Sequence, residues 1–322
     1  ITTPETLLIL LTQIKILNAL SDLEWIVIDE VHELLGSERG SQLSISLERL
    51  QLNSKYPLTK IGLSATVGNF EEAGKFLVGT KRKCKIIRDY SIRKYDVEVK
   101  YVDGTISDVA GKIIEYVLDL NLNSPILLFT NTRGEAEFIA SILKEKSSIN
   151  IELHHGSLSR EVREDTEISL REGKQGIVVC TSSLELGLDI GSVELVIHYG
   201  SPRQVSKLVQ RIGRSRHSGN QSAKGLIITN NSDDEFEANA ILDRIKEGSI
   251  EPQKIHDGSL DVLAHHLVGM AMQLGEIQVD KAFEVVTQAY SFRNLKLKEL
   301  VSVLDLLDSN YLIFFDRIKM SF

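Results

Sequence analysis

Residues 25–33 read Trp-Ile-Val-Ile-Asp-Glu-Val-His-Glu, a run of four apolar residues that ends in two adjacent carboxylates. The apolar run predicts a short parallel strand that is buried on both faces. In an open α/β sheet, ligands collect at the carboxyl ends of the strands, where Asp29 and Glu30 would lie. The pair can hold Mg²⁺, chiefly through Asp29, while Glu30 activates the attacking water, which is the chemistry of nucleotide hydrolysis. The alternative is an acidic turn that merely faces solvent.

Composition places few limits on this hypothesis. The chain has 322 residues, of which 42% are apolar and 25% charged, an ordinary globular composition with room for two domains and a small third one. No apolar run reaches the length of a membrane span, and the two cysteines, Cys84 and Cys180, favour a reduced, cytoplasmic compartment. Because the net charge is −8, nucleic-acid contacts must come from local patches. The sequence starts at Ile1 instead of Met, and we interpret it as a fragment.

The residues Thr2-Thr3-Pro4-Glu5 predict a helix start. Thr3 suits the N-cap, Pro4 the first helical position, and Glu5 complements the positive helix end. Such a helix start can offer backbone N–H groups to a phosphate, although an ordinary capped helix is an equal alternative.

Ser64-Ala65-Thr66 ends the next predicted strand, one βα unit after the two carboxylates. The hydroxyl groups of Ser64 and Thr66 could form hydrogen bonds toward the carboxylates and sense bound nucleotide. The stretch 74–81 imitates a phosphate loop, but its Thr and Lys are transposed and a helix precedes it, so we reject it. No phosphate loop occurs in these 322 residues.

A second series of strands and helices follows a basic connection near residues 81–94. Alternation of this kind predicts a parallel sheet with helices on both faces. The predicted strands are Ile126–Phe129, Ile149–Leu153, Gly176–Cys180, Leu195–His198 and Leu226–Thr229, and the predicted helices are Asp108–Leu120, Glu135–Lys146, Arg160–Glu172 and Gln204–Gly213.

Two of these strands end in side chains that suit phosphate binding. Thr130 and Arg133 follow the first strand and offer a hydroxyl and a guanidinium, while Thr181 follows the third strand with a further hydroxyl. Shortly after it, Gly187 permits close approach of a ligand and Asp189 supplies an acid.

The segment Gln210-Arg211-Ile212-Gly213-Arg214-Ser215-Arg216-His217 groups three arginines around a glycine. This arrangement indicates that backbone and side chains converge on one anion, although a solvated basic face is the usual alternative. The pairs His154-His155 and His265-His266 lack a third ligand at zinc spacing, and we interpret them as structural or surface histidines.

From Pro252 onward the pattern changes to closely spaced amphipathic helices, predicted at Leu260–Leu274, Val279–Ala289 and Leu297–Leu307, before a predicted strand at Tyr311–Phe315. Three helices that close on a β element fit a winged-helix module, while a purely packing role stays open.

Six motifs, taken in order, resemble those of superfamily 2 helicases and, within them, most of all the large helicase-related (Lhr) family of bacteria and archaea. They are Thr-Thr-Pro-Glu (2–5), Asp-Glu-Val-His (29–32), Ser-Ala-Thr (64–66), Thr-Asn-Thr-Arg (130–133), Thr-Ser-Ser-Leu-Glu-Leu-Gly-Leu-Asp-Ile (181–190) and Gln-Arg-Ile-Gly-Arg (210–214). The stretches 184–191 and 260–264 point to the Lhr family in particular.

The resemblance implies two RecA-like parallel-sheet domains, the first incomplete, followed by a helical winged-helix-like domain. The corresponding boundaries are 1–90, 91–248 and 249–322. It further implies an ATP- and Mg²⁺-dependent 3′-to-5′ helicase or translocase that acts on single-stranded or forked DNA. An RNA helicase on the same scaffold and a non-catalytic nucleic-acid-binding module are the alternatives. A membrane role is not expected.

The resemblance also implies a role for each motif residue. Asp29 would hold Mg²⁺, Glu30 would be the base, and His32 would couple the nucleotide site to Gln210. Ser64 and Thr66 would couple hydrolysis to domain movement, and Arg211 and Arg214 would be arginine fingers. Gly187 and Asp189 would bind the nucleotide. The nucleic-acid backbone would be bound by Thr3, Pro4, Glu5, Thr130, Arg133 and Thr181. The family's phosphate loop would lie upstream of Ile1, so we expect these residues alone not to hydrolyse ATP.

Overall fold

The computed structural model describes residues 1–88, 95–120, 124–185, 191, 193–215 and 222–322. The chain divides into two compact units, one formed by Ile1–Arg88 with Pro252–Phe322 and the other by Asp89–Glu251. The first is called unit 1 and the second unit 2. No helix in the described part of the chain is long and apolar enough to cross a membrane.

Unit 1 begins with a small α/β segment. Its elements are α1 (Pro4–Leu10), α2 (Ile14–Leu20), β1 (Trp25–Ile28), α3 (Val31–Leu35), α4 (Glu38–Asn53), β2 (Thr59–Gly62) and α5 (Phe70–Val78). The strands β1 and β2 pair in parallel, with Trp25 opposite Thr59 and Ile28 opposite Gly62. Their carboxyl ends therefore lie side by side, which brings the residues after β1 next to those after β2.

The prediction that β1 is buried on both faces is wrong. Trp25 and Val27 are 60% and 59% exposed, whereas Ile28 lies in the core. Among the described residues β1 pairs only with β2, and alternate side chains of the strand point away from the helices that cover its other face.

Unit 2 is a parallel sheet with helices between its strands. Its elements are β3 (Tyr95–Tyr101), α6 (Ile106–Leu120), β4 (Ile126–Phe129), α7 (Arg133–Lys146), β5 (Ile151–His154), α8 (Arg160–Arg171), β6 (Ile177–Cys180), β7 (Leu195–Tyr199), α9 (Val205–Ile212), β8 (Ala223–Thr229) and α10 (Ser232–Lys246). The strand order is β3-β8-β7-β4-β6-β5, and every pair is parallel. The carboxyl ends of the neighbouring strands β4, β6 and β7 thus lie side by side at one edge of the sheet, where the candidate site of this unit lies.

The C-terminal helices complete unit 1. They are α11 (Leu260–Leu274), α12 (Val279–Gln288) and α13 (Leu297–Ser309). Ile45 of α4 lies in one apolar cluster with Leu263 and Leu267 of α11 and with Val286 of α12. Residues from both sides of the predicted boundaries at 90 and 248 therefore share one core in unit 1, and those boundaries stay predictions.

A buried arginine also joins α4 to α11. The guanidinium of Arg49 donates to Gly269 O (2.9 Å) and Gln273 Oε1 (2.9 and 3.1 Å), and it lies 3.2 Å from His266 Nδ1. Burial lowers the pKa of Arg49 to about 10, so the side chain keeps its charge at neutral pH. All these acceptors are neutral, and the contact depends on hydrogen bonds instead of an ion pair.

The strand predicted at Tyr311–Phe315 does not form. The described residues here make only isolated antiparallel bridges, between Gln278 and Ser321 and between Asp316 and Ser321. Tyr311 has a φ of 58°, a left-handed conformation that interrupts an extended run.

Candidate functional site

In unit 1 the two predicted catalytic carboxylates lie directly after β1. The N–H of Glu30 donates to Asp29 Oδ1 (2.9 Å), and Glu30 has a φ of 48°. A left-handed conformation costs a non-glycine residue roughly 1–2 kcal/mol. It turns the chain sharply from strand into α3, and the β1–β2 pairing continues across the turn because the Val31 N–H donates to Leu63 O (3.0 Å). Asp29 stays exposed, and Glu30 is half-buried.

His32 connects these carboxylates to the residues that follow β2. Its ring is buried, and Nδ1 lies 2.6 Å from Ser64 Oγ and 3.4 Å from Glu30 Oε2. Nε2 lies 3.3 Å from Glu33 Oε1. The predicted coupling residue Ser64 is thus in direct contact with His32, and Thr66 is buried nearby in sequence. Gln210, the predicted partner of His32, belongs to unit 2.

The carboxylate pair fits Mg²⁺ in the chemistry of its donors. Carboxylate oxygens are hard ligands, and Mg²⁺ in phosphoryl-transfer sites is bound by one or two of them together with phosphate and water oxygens. Asp29 is exposed and can provide such an oxygen. Within the described residues no group of three or more His, Cys, Asp or Glu side chains could hold a metal ion by itself. A metal at Asp29 and Glu30 would therefore need further oxygen ligands, such as water or phosphate oxygens.

The predicted helix start at Thr3 forms as a capped helix. Thr3 Oγ1 accepts from the Thr6 N–H (3.3 Å), and Pro4 occupies the first turn of α1. Glu5 is bound to Arg39, whose Nε lies 2.6 Å from Glu5 Oε1. The hydrogen bond from Arg39 lowers the pKa of Glu5 to about 2. The carboxylate of Glu5 is thus engaged by a cation of the same unit.

In unit 2 the residues after β4 meet the segment after β5. Arg133 is exposed, and its Nη1 donates to Ser157 Oγ (2.5 Å). Thr130 is buried, and its hydroxyl donates to Thr132 O (2.9 Å), so this side chain supports the turn before α7. Thr181 is buried at the end of β6. Sequence reasoning missed Ser157, although a glycine and two serines just after β5 could have indicated a turn open to an anion.

The arginine segment of unit 2 lies at the end of α9. Arg211 is 3% exposed, and its Nη2 donates to Glu185 Oε2 (3.2 Å) while its Nη1 contacts His198 Nε2. The guanidinium also lies 5.1 Å from the centroid of the Phe129 ring. Arg214 follows in a short 3₁₀ turn, where its Nη2 donates to Glu185 O (2.8 Å). The described contacts of Arg211 are internal to unit 2, and its role as an arginine finger stays a prediction.

Glu185 and His198 were missed by sequence reasoning, which gave neither residue a role. Glu185 lies inside the motif that follows β6, and His198 lies in β7. Their signal was weak because a lone acid and a strand histidine are common in folded cores. The predicted nucleotide-binding residues Gly187 and Asp189 lie outside the described residues.

Comparison with known proteins identifies the chain's relatives. Sequence models of three families match successive parts of it: DEAD/DEAH box helicase over residues 1–73, helicase conserved C-terminal domain over 108–219, and the winged helix domain of the large helicase-related protein over 243–319. The chain is 40% identical, over 97% of its length, to the ATP-dependent helicase Lhr-Core of Methanothermobacter thermautotrophicus, of which it covers 38%. It is 31% identical, again over 97%, to the Lhr helicase/uracil glycosylase of Escherichia coli, of which it covers 23%.

A solved structure supports the same relationship. The Mycobacterium smegmatis helicase Lhr bound to ssDNA and AMP-PNP superposes with a TM-score of 0.84 and 33% identity, over 95% of this chain and 41% of that one. The predicted fold, parallel-sheet α/β helicase domains followed by a helical winged-helix domain, is confirmed. This chain spans about two fifths or less of the length of these relatives. By its ordered motifs, its fold and these matches, the chain belongs to the large helicase-related family of superfamily 2 helicases, a family of ATP-dependent helicases.

Proposed function

We propose that the protein is an ATP-dependent helicase or translocase that moves 3′-to-5′ along single-stranded or forked DNA in the cytoplasm. The Lhr-Core relative is an ATP-dependent helicase by name, and the Mycobacterium smegmatis Lhr is described as bound to ssDNA and AMP-PNP. The observation that carries the proposal is the pair Asp29 and Glu30 at the end of a parallel strand, joined through His32 to Ser64.

The chemistry assigned to unit 1 follows from these contacts. Mg²⁺, when bound at the carboxylates, would neutralise charge on the phosphates of ATP. Glu30 accepts a proton from the attacking water, and its carboxylate lies 3.4 Å from His32 Nδ1. His32 transmits the state of the site to Ser64, to which it is already hydrogen-bonded, and Thr66 belongs to the same coupling segment.

The remaining motif residues are proposed in two groups. The helix start at Thr3, Pro4 and Glu5 and the strand ends at Thr130, Arg133 and Thr181 contact the nucleic-acid backbone. Arg133 is the exposed cation of this group, and Ser157, its partner, adds a hydroxyl. Gly187, Asp189, Gln210 and Arg214 face the nucleotide, with Arg214 as the arginine finger.

Glu30→Gln tests the proposal in the protein expressed from its complete gene. The substitution keeps the shape of the side chain but removes the base, so kcat for ATP hydrolysis should fall on the order of a hundredfold or more. Nucleotide binding should survive because Asp29 is unchanged. The matched control is Glu24→Gln, since Glu24 is an exposed acid at the opposite end of β1 and should leave kcat unchanged. Near-normal turnover by Glu30→Gln would refute the assignment.

The nucleic acid is tested in the same preparation. ATP hydrolysis is measured with single-stranded DNA and with RNA of equal sequence, and unwinding with forks that carry one 3′ or one 5′ tail. Greater stimulation by DNA and unwinding from the 3′ tail alone are the expected results. A preference for RNA would show that the protein is an RNA helicase. DNA binding without hydrolysis in the unsubstituted protein would establish a non-catalytic binding module.

A further inference from the structure

Arg211 is held from two sides inside unit 2. Glu185 and Arg211 are both almost wholly buried, at 5% and 3% exposure, and they form an ion pair of 3.2 Å. A buried charge is tolerated only when a partner and hydrogen bonds offset its lost hydration. Here the partner charge comes from Glu185, and the aromatic face of Phe129 covers the guanidinium plane at 5.1 Å. Arg211 is thus part of the core of unit 2.

His198 completes the enclosure as a neutral acceptor. Its Nδ1 lies 2.8 Å from the carbonyl oxygen of Gly200, which can only accept, so Nδ1 carries the hydrogen. Nε2 is then unprotonated and accepts from Arg211 Nη1. Burial, reinforced by the charge of Arg211, lowers the pKa of His198 to about 3, so its ring stays neutral at physiological pH.

Glu185 binds the second arginine through a different atom. While its carboxylate faces Arg211, its backbone carbonyl oxygen accepts from Arg214 Nη2 at 2.8 Å. Arg214 lies in the 3₁₀ turn Gly213–Ser215, directly after the helix that carries Arg211. Ser215 supports this turn further because its hydroxyl lies 2.8 Å from both Ile212 O and Lys224 O and can donate its one hydrogen to either. Glu185 therefore contacts both guanidinium groups, one through its side chain and the other through its backbone.

We propose that Glu185 is a positioning residue for ATP hydrolysis, whose carboxylate anchors Arg211 in the core so that its carbonyl oxygen can hold Arg214 in place as the arginine finger. This inference rests on the proposed function, because it requires that Arg214 acts on the nucleotide. Arg211 is the anchor of the arrangement and does not contact the substrate. The ion pair holds the end of α9 against the segment after β6. It thereby keeps Arg214 within hydrogen-bonding distance of the Glu185 carbonyl oxygen.

Loss of positioning predicts a specific kinetic pattern. With Glu185→Gln, the amide keeps the size of the side chain but removes the charge that anchors Arg211, so Arg214 samples more orientations. A finger acts on charge that develops in the transition state, and kcat should therefore fall about tenfold while KM for ATP changes less than about twofold. Glu152→Gln is the matched control: Glu152 is an acid of β5 in the same unit, hydrogen-bonded to Ser169 Oγ (2.9 Å) and Asn150 Nδ2 (3.1 Å). It should leave kcat unchanged.

A double-substitution cycle separates positioning from general stability. All variants are made in the protein from its complete gene, and thermal unfolding is recorded for each. If Glu185 acts through Arg214, then Glu185→Gln should add nothing to the loss of kcat caused by Arg214→Ala. An equal loss in both backgrounds, or no loss in a folded Glu185→Gln protein, would overturn the inference.

A second variant covers the case in which Glu185→Gln does not fold. Arg211→Lys keeps a positive charge beside Glu185 but loses the planar fork that also reaches His198, and it should show the same fall in kcat with KM retained. Unchanged kcat in this variant would overturn the inference as well. Failure of the proposed function has a separate signature: either the unsubstituted protein hydrolyses no ATP, or Glu30→Gln and Arg214→Ala both turn over normally.

Discussion

Two buried histidines of the chain, one in each unit, are held neutral by their hydrogen-bond partners. His266 Nε2 donates to Gln42 O (3.1 Å), and its Nδ1 accepts from Arg49. Burial, reinforced by the charge of Arg49, lowers the pKa of His266 well below 6.5. His198 in unit 2 has its pKa lowered to about 3 for the same reasons.

These lowered pKa values make the folded protein sensitive to acid. The unfolded chain binds a proton at each histidine once the pH falls below about 6.5, whereas the folded chain does not. The contribution of each histidine to stability is therefore complete above pH 6.5 and is lost as the pH falls below it. For one such group the loss approaches about 1.4 kcal/mol per pH unit.

His266→Asn should reduce this acid sensitivity in unit 1. Asparagine does not titrate, so the free energy of unfolding should fall less steeply between pH 6.5 and 5, although it should be lower at pH 7 because Arg49 loses a well-placed acceptor. The fluorescence of Trp25, the single tryptophan, reports the unfolding of unit 1 in urea. His265→Asn is the matched control because His265 is the exposed neighbour. Equal pH slopes in both variants would contradict the prediction.

Single residues could be predicted from the sequence where a motif fixes their place relative to a strand end. Asp29 and Glu30 fall directly after β1, and the contact of His32 with Ser64 follows from the parallel pairing of two adjacent strands. Glu185 could not be predicted, because its partners come from α9 and from the 3₁₀ turn beyond it. Which side chains meet there depends on packing that short motifs do not encode.

Among the elements, α4 has a sequence position that a neighbouring helix constrains. Gly40 lies in its first turn, where an added Cβ would come within 1.8 Å of Leu34 O. That atom belongs to the backbone and cannot move aside cheaply. The glycine thus allows α3 and α4 to meet at a short turn, which holds α3 directly behind Glu30.

Gly40→Ala should destabilise unit 1 on the order of 3 kcal/mol or more, since the clash forces the backbone of α3 to shift. Urea unfolding followed by Trp25 fluorescence measures the change. Gly111→Ala is the matched control in a helix, because nothing lies within 4 Å of the added Cβ in α6. It should stabilise unit 2 by about 0.5–1 kcal/mol, measured by circular dichroism. Equal effects of the two substitutions would contradict the steric argument.

The sequence pattern identified elements well where apolar residues were frequent. The strand Ile126–Phe129 and the helix Leu260–Leu274 form with the predicted bounds. The helix α10 was missed although Asn231 caps it and acids fill its first turn, because its apolar periodicity is weak. At Tyr311–Phe315 a continuous apolar run indicated a strand. Tyr311, Leu312 and Phe314 are exposed, however, and the run has no neighbouring strand to pair with among the described residues.

For the whole molecule, the division into units determines which pieces can fold by themselves. Unit 2 is a continuous stretch with its own sheet, whereas unit 1 draws its core from residues 1–88 and 252–322. Leu47 and Leu50 of α4 lie in a cluster formed mainly by the first stretch, with Tyr290 from the second, whereas Ile45 packs in the cluster of α11 and α12. The two parts of unit 1 therefore depend on each other.

Residues 89–251 should fold when expressed alone, and residues 1–88 should not. Cooperative thermal unfolding and dispersed NMR signals are expected for the first piece, while the second should aggregate or stay unfolded because α4 lacks its cover. Addition of residues 252–322 as a separate chain should restore structure to residues 1–88, seen as a change in Trp25 fluorescence. A stable, monomeric 1–88 piece would contradict this dependence.

The discontinuity of unit 1 also has a consequence for synthesis on the ribosome. Residues 1–88 emerge before residues 89–251, and the helices that cover Ile45 emerge only after residues 89–251 have been translated. At ordinary elongation rates this interval lasts roughly ten to thirty seconds. Unit 2 can fold as a nascent domain during that time, while α4 keeps apolar surface open to solvent. We therefore expect the nascent chain to recruit holding chaperones between its first and last segments, and slowed translation of residues 89–251 to lower the yield of folded protein.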